Sequence, residues 1–324
     1  MKIGVVGAGA WGSALAQVAA ASGDEVPVWA YEAEVVDAIN SAHENSLYLP
    51  GVVLSPTIHA STDMAVLADC DALLVVVPAQ HLRGVVAQLP RRDVPLVLCA
   101  KGIEAGTGML MSQVVEDALP DAPVAVLSGP TFAHEVAAGL PTAVTLACAD
   151  DALGQRLVER IAQPEFRPYC SDDVIGAEVG GAVKNVLAIA CGVADGAGLG
   201  LNARASLISR GFAEMTRFGR ALGAKRETLS GLSGLGDLVL TCSSTSSRNF
   251  SLGKGLGEGR SAADLLSNRR TVAEGAFTAP VLRDAAHRVA VEMPIVEGVC
   301  ALLEGNMNVQ AMVDALLSRP LRCE

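Results

Sequence analysis

The chain has 324 residues, of which 51% are hydrophobic and 3% aromatic, and a formal net charge of −11. That length suits two domains, and the apolar fraction excludes a disordered chain. The negative charge argues against nucleic acid or an anionic membrane as partner, and it makes any anionic ligand depend on a local basic pocket.

The first predicted strand, Ile3-Gly4-Val5-Val6, runs into Gly7-Ala8-Gly9-Ala10-Trp11-Gly12 and then the helical Ser13-Ala14-Leu15-Ala16. Strand, glycine turn and helix in that order form a dinucleotide fingerprint. Gly7 permits the tight turn, Gly9 the close approach of a pyrophosphate, and Gly12 the packing of helix on strand. The helix N-terminus adds N–H groups and a partial positive charge for phosphates. The alternative is a tight strand-to-helix turn with no ligand. Further strands are predicted at 26–29, 72–77, 96–100, 124–127 and 143–147, with helical spacing at 15–21 and 85–89. Continuous apolar strands alternating with helices predict a parallel sheet covered on both faces.

The pattern changes across 166–173. Helical segments follow at 174–193, 203–222, 262–266, 281–291, 295–303 and 309–317, with no convincing strand among them. The polar run from Cys242 to Asn249 reads as the one candidate flexible loop. The expected fold class is therefore α/β. A doubly wound Rossmann-type N-terminal domain, residues 1–172, precedes an all-helical C-terminal domain, residues 173–324. A cleft is expected beyond the strand carboxyl ends, lined by the Gly7 turn and by helices of the second half.

Eight cysteines are scattered without a CxxC pair or a His/Cys cluster at metal spacing, so a reduced compartment and no metal are expected. A strand starting at Lys2 leaves no room for a leader, and the apolar stretch 179–201 carries Lys184 and Asp195, against a membrane span. The expectation is a soluble cytoplasmic protein without membrane insertion.

Several residues could carry chemistry. Lys101 ends a strand beside Gly102, pointing either into the cleft or to solvent. Ser128-Gly129-Pro130-Thr131 closes a strand and opens a helix, as an anion site or a plain cap. Lys184-Asn185 interrupts an apolar helix, where an ammonium either snorkels or works. Desolvation beside other cations would lower its pKa from roughly 10.4 towards roughly 7–8. Asp237 ends a glycine-rich block and either charge-balances a lysine or caps the helix that starts there. Arg248-Asn249 offers a guanidinium fork suited to phosphate, or lies in a mobile basic loop.

These blocks occur in one order: the Gly7–Gly12 turn, Lys101-Gly102, Ser128-Gly129-Pro130-Thr131-Phe132-Ala133, Gly181-Ala182-Val183-Lys184-Asn185, Gly234-Leu235-Gly236-Asp237, Ser247-Arg248-Asn249 and Val272-Ala273-Glu274-Gly275. Together they resemble the bacterial NAD(P)-dependent glycerol-3-phosphate dehydrogenases over most of the chain. The resemblance implies interconversion of sn-glycerol 3-phosphate and dihydroxyacetone phosphate, feeding phospholipid synthesis. It implies Lys184 as the proton acceptor or donor at the C2 oxygen, with Asp237 and Lys101 as further catalytic groups. Substrate contacts fall to Lys101, Gly129, Thr131, Lys184, Asn185, Asp237, Ser247, Arg248 and Asn249. Cofactor contacts fall to Gly7, Gly9, Ala10, Trp11, Gly12, Tyr31, Lys101, Ala133, Arg248, Val272 and Glu274. The partner is then a small phosphorylated three-carbon substrate, and the family is often a homodimer.

One departure bears on the cofactor. Family members that use NADPH often carry Arg just past the second strand, where this chain reads Trp29-Ala30-Tyr31-Glu32. Tyr31 replaces the base and Glu32 would repel a 2′-phosphate, which favours NAD over NADP. Ala10 stands where Ser is frequent. Two other readings remain. A dehydrogenase of ketopantoate or a β-hydroxy acid would share the helix lysine but not Asp237 with Arg248-Asn249. A nucleotide-binding redox sensor would not need both Lys184 and Asp237.

Overall fold

The computed structural model describes residues 1–267 and 273–318. The chain divides into two compact units. The first comprises Met1–Glu104 and Met109–Glu178; the second comprises Ala105–Gly108 and the chain from Val179 onward.

The first unit is built on an eight-stranded sheet. Its strands are β1 (Ile3–Val6), β2 (Val26–Trp29), β5 (Ile58–Ser61), β6 (Ala72–Val75), β7 (Leu96–Leu98), β8 (Val124–Ser128), β9 (Thr142–Cys148) and β10 (Phe166–Ser171). A separate small hairpin pairs β3 (Glu44–Asn45) with β4 (Leu49–Val53). The sheet order is β10-β9-β8-β7-β6-β1-β2-β5, and β1, β2 and β5–β8 run parallel. That places the strand reversal between β1 and β6, the point beyond which open α/β sheets bind ligands. Alternate strand residues serve two cores. Val5, Leu74, Val97 and Leu127 face one, packed with α1 (Ala10–Ala20), α2 (Ala33–Ala42), α5 (Ala133–Ala137) and α6 (Asp151–Ile161). Val6, Val75, Leu98 and Val126 face the other, with α3 (Leu82–Val86) and α4 (Met111–Ala118). Both faces being covered is the reason these strands lack polar alternation.

The wholly parallel expectation fails at one edge. β8 and β9 are antiparallel, and β10 is parallel to β9. The link between β8 and β9 holds only the five-residue α5, and antiparallel neighbours need no crossover helix. β10 itself occupies the stretch read as a change of pattern. Its alternation of buried Phe166 and Pro168 with exposed Arg167 and Tyr169 is that of an edge strand.

The second unit is helical; among the described residues no strand follows Ser171. Its axis is α7 (Val174–Gly196), followed by α8 (Gly200–Ala221), α9 (Arg226–Ser230), a π-helical turn at Leu232–Gly236, α10 (Asp237–Thr241) and α11 (Arg248–Gly257). The last four are α12 (Ala262–Leu266), α13 (Glu274–Arg288), α14 (Pro294–Leu303) and α15 (Val309–Leu317). The chain from Arg226 to Thr241 and the segment 248–257 are helices that periodicity did not reveal, because they are short and rich in glycine. α7 is long and apolar enough to cross a membrane, but 89% of its most apolar stretch is buried inside the structure, as in the core helix of a globular protein. It packs backbone to backbone on α11. A Cβ at Gly192 would meet the Phe250 carbonyl oxygen at 2.0 Å, and one at Gly253 would meet that of Ile189 at 2.0 Å.

Glu178, on the first turns of α7, is buried and accepts hydrogen bonds at the start of α4, from the Ser112 N–H at 2.7 Å and the Ser112 hydroxyl at 2.6 Å. Burial nevertheless pushes its carboxyl up from 4.5 to about 7. The folded state therefore holds a proton that the unfolded chain releases above pH 4.5. The stabilisation is complete below pH 4.5 and is lost as pH rises through about 7. Chemical denaturation across that window should show wild type losing about 3 kcal/mol relative to Glu178→Gln, at about 1.4 kcal/mol per unit. A constant difference from pH 4.5 to 8 would remove this account.

Candidate active site

The first unit carries the glycine turn. Gly7 has φ +107°, and any Cβ there would strike the Val76 carbonyl oxygen at 2.6 Å. A Cβ at Gly12 would meet the Gly7 oxygen at 1.8 Å, so α1 can begin this close to β1 only with glycine. Gly9 differs: it faces open space, with nothing within 4 Å of a Cβ position. That is the place where a phosphate group can approach backbone. Gly9 is also the N-cap of α1, with no side chain capping it and no acidic residue in the first turn. Trp11 has a buried indole N–H with no partner among the described residues. An open cradle, an uncapped helix start and an orphaned donor fit the anionic pyrophosphate of a dinucleotide. Ala10 and Trp11 border the same apolar core as Ala133 at the start of α5.

Further along the sheet, Lys101 follows β7 and donates from Nζ to the Gly129 carbonyl at 3.4 Å. The Thr131 hydroxyl reaches the same oxygen at 3.4 Å. Lys101, Gly129 and Thr131 are thus brought together from two strand ends. Tyr31 projects into solvent, 81% exposed. Glu32 beside it accepts a hydrogen bond from the Tyr48 hydroxyl at 2.9 Å.

In the second unit, Lys184 is 5% exposed and its Nζ lies 2.5 Å from Asp237 Oδ1, with Asp237 fully buried. The Thr241 hydroxyl, one turn along α10, adds a bond to the same oxygen at 3.3 Å. Gly180 makes the approach possible, since a Cβ there would meet the Ser233 carbonyl at 2.1 Å. The neighbour that the structure gives Lys184 is thus the Asp237 carboxylate, the charge-balancing alternative read for that residue. This sets aside the cap reading of Asp237, whose carboxylate faces Lys184 and Thr241.

Asn185 is buried next to Lys184. The N-terminus of α13 comes against it: a Cβ at Gly275 would lie 2.6 Å from the Asn185 oxygen and 2.8 Å from Asn249 Oδ1. The Gly275 N–H donates to Asn249 Oδ1 at 2.9 Å, and Glu274 is the first residue of that helix. Ser247 caps α11 by accepting from the Phe250 N–H at 3.2 Å, so the polar run ends in an ordered helix start rather than a flexible loop. Arg248, the first residue of α11, is exposed and makes no ion pair among the described residues. Val272 lies outside the described residues.

Sequence reasoning missed three polar residues here. Thr241 could have been found, since it stands one helical turn from Asp237. Asn45 bonds to the glycine turn, and Tyr48 to Glu32, from a hairpin whose short, polar strands gave no signal. A further pair, Cys191 and Cys242, is buried near Lys184; their mutual hydrogen bond and desolvation hold the Cys242 thiol well above its usual range.

Comparison with known proteins bears on the whole chain. Residues 2–154 match the family described as NAD-dependent glycerol-3-phosphate dehydrogenase N-terminus, and residues 173–314 match the corresponding C-terminus. A glycerol-3-phosphate dehydrogenase (NAD(P)+) of Novosphingobium aromaticivorans is 64% identical over 324 residues, covering 100% of this chain and 98% of its own. One from Sphingopyxis alaskensis is 61% identical over 323 residues, with the same coverage. The crystal structure of the Coxiella burnetii glycerol-3-phosphate dehydrogenase superposes with a TM-score of 0.93 at 40% identity, over 98% of this chain and 99% of that one. With both halves matched in order and relatives above 60% identity along its full length, the chain belongs to the NAD-dependent glycerol-3-phosphate dehydrogenase family.

Proposed function

We propose that this chain interconverts sn-glycerol 3-phosphate and dihydroxyacetone phosphate with NAD(P), acting in the cytoplasm to supply glycerol 3-phosphate for phospholipid synthesis. The observation that carries the reading is the buried Lys184–Asp237 pair, in a chain that also bears an open dinucleotide turn. Residues 1–172 form the dinucleotide-binding domain and residues 173–324 the substrate domain. The working unit is a homodimer, as the family resemblance implies.

Gly7, Gly9, Ala10, Trp11 and Gly12 receive the cofactor, with Tyr31, Ala133, Val272 and Glu274 as outer contacts. Bound NAD(P)H supplies a hydride to C2 of the ketone. Lys184, charged beside Asp237, gives a proton to the C2 oxygen as negative charge develops there; in the oxidative direction it takes that proton back. Lys101, beside the Gly129 oxygen, contributes positive charge and a hydrogen bond. Arg248 has no competing carboxylate among the described residues and is available to a phosphate as a bidentate donor, reaching towards the cofactor as well. Gly129, Thr131, Asn185, Ser247 and Asn249 complete the substrate contacts. Glu32, steadied by Tyr48, suits the free ribose diol of NAD and repels a 2′-phosphate.

The direct test is oxidation of NADH and NADPH with dihydroxyacetone phosphate, with ketopantoate as control; turnover of ketopantoate alone would overturn the reading. NADH should give the higher kcat/KM, and a clear NADPH preference would refute the role given to Glu32. Lys184→Ala should lower kcat by about 10²–10⁴-fold. Cofactor affinity, titrated in the same folded variant, should stay within a few fold; full activity would remove Lys184 as the acid. Arg248→Ala should raise the KM for dihydroxyacetone phosphate about tenfold or more, as expected for a lost charge-assisted contact. An unchanged KM would dismiss the phosphate role.

A further inference from the structure

Asn45 belongs to the short hairpin strand β3 and is 0% exposed. Its amide Nδ2 donates to the Ala8 carbonyl at 2.7 Å and to the Ser13 hydroxyl oxygen at 2.8 Å. Its Oδ1 accepts from the Tyr48 N–H at 3.1 Å. One side chain, remote in sequence from the turn, thus bonds both to the turn itself and to the first turn of α1.

The Ala8 carbonyl has a specific geometric meaning. It shares a peptide plane with the Gly9 N–H, and the chain contains no cis peptide bond among the described residues. In a trans peptide the carbonyl oxygen and the amide hydrogen point in opposite directions. Drawing the Ala8 oxygen towards Asn45 therefore turns the Gly9 N–H away from it. Gly9 is the position that faces open space, at the uncapped start of α1. Glycine backbone is permissive, so without an external restraint this peptide can rotate and present its carbonyl instead. A carbonyl oxygen aimed at the phosphate position would repel the anion that an N–H attracts.

We propose that Asn45 is a positioning residue for the cofactor: it locks the Ala8–Gly9 peptide so that the Gly9 N–H, not a carbonyl, meets the pyrophosphate. Ser13 assists by occupying the second amide hydrogen, which fixes the rotation of the Asn45 amide group. The inference rests on the dinucleotide-binding role given above to the turn. The hairpin is then a working part of the nucleotide site, although none of its residues is required to touch the cofactor.

The test compares wild type with Asn45→Asp and Asn45→Ala. Asn45→Asp is nearly isosteric but replaces the donor with an acceptor, setting like partial charges against the Ala8 oxygen. Both variants should raise the Kd for NADH and the cofactor KM at least tenfold. The kcat at saturating cofactor should stay within threefold of wild type, and the KM for dihydroxyacetone phosphate within twofold. A merely structural role would lower Tm without this split between the two substrates. Asn45→Ser guards against poor folding of the other two; it keeps one small hydroxyl donor and should give an intermediate loss, partly restoring affinity relative to Asn45→Ala. Folded Asn45→Asp or Asn45→Ser with wild-type affinity for NADH would overturn the proposal. Failure of wild type itself to bind NADH or NADPH would instead defeat the function assigned to the turn.

Discussion

A lysine and an aspartate withdrawn together from water set the terms for the second unit. Neither charge is tolerable alone in such surroundings, because the desolvation cost of a single buried ion is several kcal/mol. Lys184 and Asp237 offset that cost in each other, and Thr241 adds a hydrogen bond to the shared oxygen. Were Lys184 to release its proton, as the proposed mechanism requires, the carboxylate beside it would favour reprotonation of the amine. The glycine at 180 serves this pair, since it lets the π-helical turn before α10 reach the face of α7 that carries Lys184.

The first unit meets a different electrostatic demand. The protein is acidic overall, with a net charge of −11, and must still hold an anionic cofactor. In the proposed reading it does so with backbone dipoles at the start of α1 more than with side-chain cations. Backbone donors must be aimed by geometry, because a peptide cannot be swapped for a longer or more basic one. That reading puts the burden on the residues that shape the turn: Gly7 and Gly12 from within, and Asn45 from outside.

Much of this was legible in the sequence. The central strands read as continuous apolar runs because both faces of the sheet are covered, and the glycine turn is local in the chain. Lys184 stood out as a charge in an apolar helix, and its helix and Asp237 came with a recognisable order of motifs. What escaped had physical reasons. The antiparallel edge at β9 depends on a long-range pairing choice that leaves no mark on β9 itself. The helices at 226–230 and 237–241 are too short to establish a period. Asn45 gave no local signal for its bonds to the turn and to α1, since these reach residues more than thirty positions away. The partner of Lys184 is settled by packing, not by spacing, so the sequence left Asp237 as one of two alternatives.

The seam between α7 and α11 has one further bearing. At 192 and 253 each helix presses its backbone against a carbonyl of the other, at a separation that leaves no volume for even one methyl group. The permissible alphabet at both positions shrinks to a single letter, however permissive the surroundings. Anyone recombining this enzyme with distant relatives must therefore exchange these two helices as a matched set, or leave both untouched.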